Sequence, residues 1–129
     1  MNLQGIRVLV LDDEPDAREL VRRILVECDC VAATAGSVDE ALRVGAGEEF
    51  DLVISDIGIP GADGYEFIRR WREQESKLKR RKTPVVALTA YARAEDRRKV
   101  LLAGFQAHLA KPVDGNELLA LAASLAGRV

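Results

Sequence analysis

The 129-residue sequence is poor in cysteine, with only Cys28 and Cys30. Their C-x-C spacing is neither the C-x-x-C of a redox pair nor half of a four-ligand zinc site. We therefore interpret both as reduced packing residues, and the sequence offers no basis for a structural zinc centre or a disulfide scaffold.

Long apolar runs and a large charge excess are also missing. No run approaches the roughly 20 apolar residues of a membrane-spanning helix, and the N-terminus lacks the basic, apolar and small-residue order of a secretory signal. Nineteen Lys and Arg oppose 21 Asp and Glu, for a net charge of −2, so there is no overall attraction to nucleic acid or anionic membrane. We expect a cytoplasmic protein without membrane insertion or direct nucleic-acid contact.

The sequence contains no Pro- or Ser-rich linker and no low-complexity segment. Its length is close to the commonest size of one domain, and apolar residues make up 48% of it, which is enough for one packed core. We therefore expect one domain over residues 1–129.

Short apolar runs alternate with segments of helical periodicity along the chain. Strands are predicted at 6–11, 30–35, 51–56, 84–89 and 107–110. Helices are predicted from Pro15, after the Ser37–Glu40 capping box, at about 65–75, at about 94–103 and from Asp114. This alternation predicts an α/β fold with a parallel, doubly wound sheet.

Two details of the helices and their connections carry further expectations. Apolar residues in the first helix form one stripe, which should lie on the sheet: Ala17, Leu20, Val21, Ile24, Leu25 and Cys28. The segment 77–82 has five basic residues in six and is most simply a solvated connection.

Polar residues capable of chemistry follow the predicted strands. They are Asp12 and Asp13, Asp56, Thr89 and Lys111. In an open α/β sheet, ligands bind at the carboxyl ends of the strands, so these side chains should share one crevice. Clustered carboxylates repel one another, and Mg²⁺ is the natural cation to relieve the repulsion. A carboxylate can also attack phosphorus when cations, here the metal and the lysine, offset the incoming charge.

The motifs at these strand ends resemble those of the receiver domains of two-component response regulators. The matching segments are Leu11-Asp12-Asp13-Glu14, Asp56 with Pro60 and Gly64, Thr89-Ala90, and Lys111-Pro112. The resemblance covers essentially the whole chain. It implies a flavodoxin-like (βα)5 three-layer sandwich with strand order 2-1-3-4-5.

The resemblance also implies roles for individual residues. Asp56 would be the phosphoacceptor, and Mg²⁺ would be bound directly by Asp13, Asp56 and the Gly58 carbonyl, with Asp12 acting through water. Lys111 would pair with the phosphoryl group, and the Lys111-Pro112 peptide bond would be cis.

In such domains, a threonine and an aromatic residue move together after phosphorylation and change the surface of the fourth helix, fifth strand and fifth helix. Here the threonine is Thr89, but His108 occupies the aromatic position. His108, the only histidine, is therefore either a switch residue or a half-exposed packing residue. Gly58 and Tyr91 occupy the two positions that tune phosphoryl lifetime.

The segments around Thr89 and Lys111 resemble most the receivers of hybrid sensor histidine kinases. The partner would then be a sensor histidine kinase or a histidine phosphotransfer domain, which meets the acceptor edge through the first helix. Arg18, Arg22 and Arg23 are candidates for that contact, although solvated charges are a simpler interpretation.

Three other functions are disfavoured. A small aspartyl-phosphate phosphatase of the haloacid dehalogenase type would be a true enzyme, but it needs a D-x-D motif at the first strand, which Asp12-Asp13 does not provide. A pseudo-receiver that only binds partners typically lacks one or more site residues. The glycines at 58, 61 and 64 form G-x-x-G-x-x-G, which is not a nucleotide-binding fingerprint. We expect a phosphoacceptor signalling domain rather than an enzyme.

Overall fold

The computed structural model describes residues 2–58, 64–90 and 94–127. Five strands alternate with five helices in this part of the chain. The strands are β1 (Arg7–Leu11), β2 (Val31–Ala35), β3 (Leu52–Asp56), β4 (Val85–Thr89) and β5 (Ala107–Ala110). The helices are α1 (Pro15–Glu27), α2 (Val38–Gly47), α3 (Gly64–Lys77), α4 (Ala94–Leu102) and α5 (Gly115–Leu125).

The strands form one sheet in the order β2-β1-β3-β4-β5, and every neighbouring pair is parallel. The inner strand β1 is paired on both sides, with Val8 opposite Ala32 of β2 and Leu52 of β3. The predicted fold class and strand order are therefore confirmed, and each strand lies within one residue of its predicted bounds.

Each face of the sheet has its own apolar core, because side chains alternate along a strand. In β1, Val8 and Val10 pack into one core, with residues of α1 and α5. Leu9 and Leu11 pack into the other, with residues of α2 and α3. The inner strands are buried on both faces, which explains why they appear in the sequence as continuous apolar runs.

Helix α1 begins at Pro15, as predicted, and its apolar stripe covers the sheet only in part. Val21 and Leu25 are buried, but 48% of the surface of Leu20 is exposed. The prediction that the whole stripe lies on the sheet is thus wrong at Leu20, which sits where α1 passes the sheet's carboxyl edge.

Helix α2 starts with the predicted serine cap, in a modified form. The Ser37 hydroxyl oxygen accepts a hydrogen bond from the Glu40 backbone N–H at 3.1 Å. The Glu40 carboxylate accepts from the Gly36 N–H at 2.8 Å, one residue before the position of a standard capping box.

The basic segment 77–82 is exposed, as predicted, except at Arg80, which is half-buried. The Arg80 guanidinium donates to the carbonyl oxygens of Gly45 and Ala46 at the end of α2, where a cation is favourable against the helix dipole. Arg81 pairs with Asp51 at 3.3 Å. This segment therefore fastens the end of α3 to neighbouring elements.

A buried carboxylate accepts several hydrogen bonds at the amino-terminal edge of the sheet. Glu75 of α3 is only 5% exposed. It accepts hydrogen bonds from Trp71 Nε1 at 3.0 Å, Arg72 Nη1 at 2.7 Å and the Thr83 backbone N–H at 2.7 Å. Arg72 also donates to the Thr83 carbonyl and to the Gln106 side chain. The network links α3 to the starts of β4 and β5.

None of the helices in the described part of the chain is long and apolar enough to cross a membrane.

Candidate functional site at the carboxyl edge of the sheet

Four strands deliver polar side chains to one edge of the sheet. Asp12 directly follows β1, Asp56 ends β3, Thr89 ends β4, and Lys111 directly follows β5. Because these strands are parallel, their carboxyl ends meet at one edge. The structure thus brings together residues that lie up to 99 positions apart in the chain.

The centre of the site is a lysine between two carboxylates. Lys111 Nζ lies 3.1 Å from Asp56 Oδ2 and 3.2 Å from Asp12 Oδ2. The other Asp12 oxygen, Oδ1, accepts from the Glu14 N–H at 3.0 Å, and Asp56 Oδ1 accepts from the Gly58 N–H at 2.9 Å. Both carboxylates therefore have one oxygen held by the backbone and one by the lysine.

Asp13 adds a third, exposed carboxylate to this edge. One oxygen each from Asp12, Asp13 and Asp56 lie within 4.8 Å of one another. Hard oxygen donors at this separation suit a divalent cation such as Mg²⁺. Lys111 compensates only one of the three negative charges, so the residues present fit a bound cation.

Burial and Lys111 shift the pKa of Asp12 in opposite directions. Burial raises the pKa of Asp12 above its ordinary value, although hydrogen bonds from Glu14 N–H and Lys111 draw it down. Burial alone would lower the pKa of Lys111, but its hydrogen bonds to Asp56 and Asp12 outweigh burial and raise that pKa. Lys111 is therefore charged at neutral pH.

A cavity of about 280 Å³ opens beside the Asp56 carboxylate. Its lining is formed by the ends of β3, β4 and β5: Asp56, Ile57, Gly58, Thr89, Ala90 and Lys111. The Thr89 side chain is buried at this edge, being 4% exposed. The cavity places a carboxylate, a hydroxyl and an ammonium group around one small volume.

Several predicted residues lie elsewhere or outside the described part of the chain. Pro60 and Tyr91 belong to the segments 59–63 and 91–93, which the structure does not describe. The Lys111–Pro112 peptide bond is cis. His108 is half-buried on β5, opposite Ala87 of β4.

A second cavity, of about 350 Å³, adjoins the acidic site on the α1 side. It is lined by Asp12, Glu14, Ala17, Leu20, Val21, Leu88, Lys111, Pro112 and Val113. The exposed Leu20 is part of its wall. An apolar groove therefore leads directly to the acidic site, which the sequence pattern had not indicated.

The three arginines of α1 differ in their surroundings. Arg22 forms an ion pair with Glu19 at 2.6 Å, and Arg23 approaches the same carboxylate at 3.6 Å. Arg18 instead reaches back to the acidic site, where Nη1 donates to the Asp12 carbonyl oxygen at 2.9 Å. Only a three-dimensional arrangement could separate these roles, since all three arginines look alike in the sequence.

A doubly wound sheet with an acidic, lysine-bearing cleft at its carboxyl edge defines an α/β protein with a candidate cation site. Residues 8–123 match the response regulator receiver domain family, and the chain belongs to that family.

Relatives differ in length. The chain is 43% identical over 119 residues to an uncharacterized 14.6 kDa protein from Leptolyngbya boryana, covering 92% of this chain and 88% of that protein. It is 32% identical over 126 residues to hybrid signal transduction histidine kinase D of Dictyostelium discoideum, covering 90% of this chain but only 8% of the kinase.

Solved structures of receiver domains are closely similar. One is the receiver domain of the sensor histidine kinase PA1611 from Pseudomonas aeruginosa, with a magnesium ion in its active-site cleft (28% identity, TM-score 0.83, 95% of this chain and 98% of that one). Another is the receiver domain of Ssk1 from Saccharomyces cerevisiae, bound to the histidine phosphotransfer protein Ypd1 (25% identity, TM-score 0.87, 97% and 91%).

Proposed function

We propose that this chain is a phosphoacceptor of a two-component phosphorelay, in which Asp56 receives a phosphoryl group from a phosphohistidine in a Mg²⁺-dependent reaction. The observation that carries the proposal is the arrangement of Asp12, Asp13 and Asp56 around a cation-sized space, with Lys111 hydrogen-bonded to Asp56. The chain is further proposed to be one domain over residues 1–129 and to act as a signalling domain.

The proposed transfer forms one bond and breaks one bond. A carboxylate oxygen of Asp56 attacks phosphorus, the new O–P bond gives an acyl phosphate, and the N–P bond of the donor breaks so that its electron pair returns to the histidine nitrogen. Lys111 stays beside the acquired negative charge, and Thr89 lines the same cavity. The work of these residues is positioning and electrostatics.

Mg²⁺ would be held by Asp13, Asp56 and the Gly58 carbonyl, with Asp12 acting through water. It would supply positive charge to offset the charge of the phosphoryl oxygens. Lys111 alone cannot do this, because its single positive charge is already shared between Asp12 and Asp56.

Phosphorylation is proposed to alter the surface of α4, β5 and α5 through Thr89. His108 would take the aromatic partner's position, and Gly58 and Tyr91 would tune the lifetime of the acyl phosphate. His108 is half-buried on β5, so its side chain can respond to a change at the neighbouring strand end.

The phosphodonor is proposed to be a sensor histidine kinase or a histidine phosphotransfer domain that docks beside α1. The groove lined by Ala17, Leu20 and Pro112 opens next to Asp12 and Lys111, and could accept apolar side chains of such a partner. A receiver of hybrid-kinase type is the proposed sub-type, and a cytoplasmic location remains a prediction.

Intact-protein mass after incubation with acetyl phosphate tests the proposal. The parent should gain one phosphoryl group with Mg²⁺ and none with EDTA, and Asp56→Asn should gain none. A mutant that incorporates as much phosphate as the parent would remove Asp56 from the acceptor role. No gain in the parent at any time point would favour a pseudo-receiver, which binds partners without being phosphorylated.

A further inference from the structure

Arg18 has an unusual position for a helix-surface arginine. Its side chain is half-buried and turns toward the loop between β1 and α1, where Nη1 donates to the Asp12 carbonyl oxygen at 2.9 Å. That carbonyl belongs to the peptide group that joins Asp12 to Asp13. Because a peptide group is planar, holding its oxygen also fixes the direction in which the chain enters Asp13.

The remaining polar groups of Asp12 are already held by other elements. Its backbone N–H donates to the Ala35 carbonyl at 3.1 Å, and its carboxylate accepts from Glu14 N–H and Lys111. Asp13, by contrast, is exposed. Arg18 therefore completes the restraint on Asp12 and holds the peptide group that leads into Asp13.

Gly36 leaves the space that the arginine occupies. A Cβ atom at position 36 would lie 2.8 Å from Arg18 Nη1 and 3.7 Å from its guanidinium carbon. The backbone of Gly36 is not in the left-handed region, so the absent side chain matters for space rather than for conformation. Gly36 and Arg18 thus form a matched pair at the acidic edge.

We infer that Arg18, seated against Gly36, is a positioning residue that orients the Asp12–Asp13 peptide group so that the Asp13 carboxylate is aimed at the cation site. The inference rests on the proposed function. Arg18 itself contacts neither the cation nor the phosphoryl group.

Whether removal of Arg18 weakens or strengthens Mg²⁺ binding distinguishes a positioning role from a purely electrostatic one. Arg18 is a positive charge close to a cation site, so electrostatics alone predicts that its removal strengthens Mg²⁺ binding. Positioning predicts the opposite, because the loss of a residue that orients a metal ligand typically weakens binding by about 10-fold or more.

The test is the Mg²⁺ dissociation constant measured by isothermal titration calorimetry, with thermal unfolding as a check on folding. Arg18→Ala should raise the dissociation constant by about 10-fold. Arg18→Lys, which keeps the charge but loses the fixed fork of donors, should fall between this variant and the parent. Arg22→Ala is the matched control, since Arg22 pairs with Glu19 on the same helix and with no other residue in the described part of the chain, and it should leave the constant within about 2-fold.

Gly36→Ala supplies the second arm of a double-mutant cycle. Alone, it should weaken Mg²⁺ binding in the same direction as Arg18→Ala, because the new methyl group displaces the guanidinium. In the Arg18→Ala background it should add nothing.

Three results would overturn the inference: unchanged or tighter Mg²⁺ binding in Arg18→Ala, an equal loss in Arg22→Ala, or full additivity in the cycle. A parent that binds no Mg²⁺ would instead contradict the proposed function, so the two failures are distinguishable.

Discussion

The two edges of the sheet each bury a carboxylate, but they differ in how far the protein compensates its negative charge. Glu75, at the amino-terminal edge, accepts from Trp71, Arg72 and Thr83, and one guanidinium balances its charge. Asp12, at the carboxyl edge, is 0% exposed but shares Lys111 with Asp56 and lies beside Asp13. The first edge is complete without a ligand, whereas the second has more negative charge than the protein compensates.

This contrast distinguishes a carboxylate that stabilises the fold from carboxylates kept for binding. A buried charge that is fully paired holds neighbouring elements together, and removing its partner is costly. Uncompensated buried charges lower stability and are maintained where a ligand supplies the missing charge. The following four changes, ordered by expected size, test whether the two edges differ in this way.

Glu75→Ala should lower the free energy of unfolding by about 3 kcal/mol, because Arg72 and two further donors lose their buried acceptor. Mg²⁺ affinity should not change, since the substitution lies at the opposite edge. Urea unfolding measures the first quantity and calorimetric titration the second. Glu73→Ala is the control: Glu73 is exposed and pairs with Arg69, so the loss should stay within about 0.5 kcal/mol. Equal losses in the two variants would contradict a structural role for Glu75.

Lys111→Met should lower metal-free stability by about 1.5 kcal/mol, less than a fully buried pair because the lysine side chain is 25% exposed. The reason is that three carboxylates are then left without a cation. Adding Mg²⁺ should recover most of the loss, since the metal takes over the compensation. Urea unfolding measures both the loss and the recovery, without Mg²⁺ and with Mg²⁺ at about ten times its dissociation constant. A loss that Mg²⁺ leaves unaltered would indicate a packing role for Lys111.

Asp56→Asn should raise metal-free stability by about 1 kcal/mol, because one of three neighbouring negative charges is neutralised. The advantage should shrink when Mg²⁺ is added, since the parent binds the metal more tightly and gains more stability from it. Thermal unfolding in EDTA and in Mg²⁺ gives both values. A variant less stable than the parent in EDTA would mean that the Asp56–Lys111 pair outweighs repulsion.

The raised pKa of Asp12 predicts a smaller effect on the stability of the protein, and this effect depends on pH. A carboxyl group whose folded pKa lies above its unfolded value favours folding at low pH, and this contribution is lost as pH rises through the folded pKa. The stability of Asp12→Asn relative to the parent, in EDTA, should therefore increase as the pH rises from the ordinary pKa of an aspartate through the raised folded pKa of Asp12.

Asp39→Asn is the matched control for this pH series, because the Asp39 side chain is 83% exposed. Its stability difference from the parent should change less with pH than that of Asp12→Asn, because water screens an exposed carboxylate and its ion pair with Arg70. A difference for Asp12→Asn that falls with increasing pH would show that hydrogen bonds to Glu14 and Lys111 dominate over burial.

The fold and the carboxyl edge were largely predictable from sequence. The strands are short and buried on both faces, so each appears as an apolar run, and the polar residue that ends each run marks the site directly. Lys111 donates hydrogen bonds to both Asp12 and Asp56, which is consistent with strand ends that meet at one edge of a parallel sheet.

The amino-terminal edge was not predictable in the same way. Glu75 lies in the polar segment Arg72-Glu73-Gln74-Glu75-Ser76, where nothing distinguishes it from exposed neighbours. Its burial depends on Thr83, 8 residues further along, and on Arg72, whose side chain also reaches Gln106, 34 positions away. The same holds for Arg18 and Arg80, whose acceptors are backbone carbonyls that any sequence provides, so no residue pattern reports them.

The division of β1 between two cores has a consequence for how the protein can vary. Inserting one residue into this strand would move Asp12 along the sheet by about 3.3 Å, and it would also exchange the residues that face the two cores. The length of β1 therefore cannot change by one residue without a cost, because the same alternation sets both the packing of the two cores and the position of the acidic residues. Variation in length should accumulate in the connections instead, where an added residue changes neither the core packing nor the position of the acidic residues.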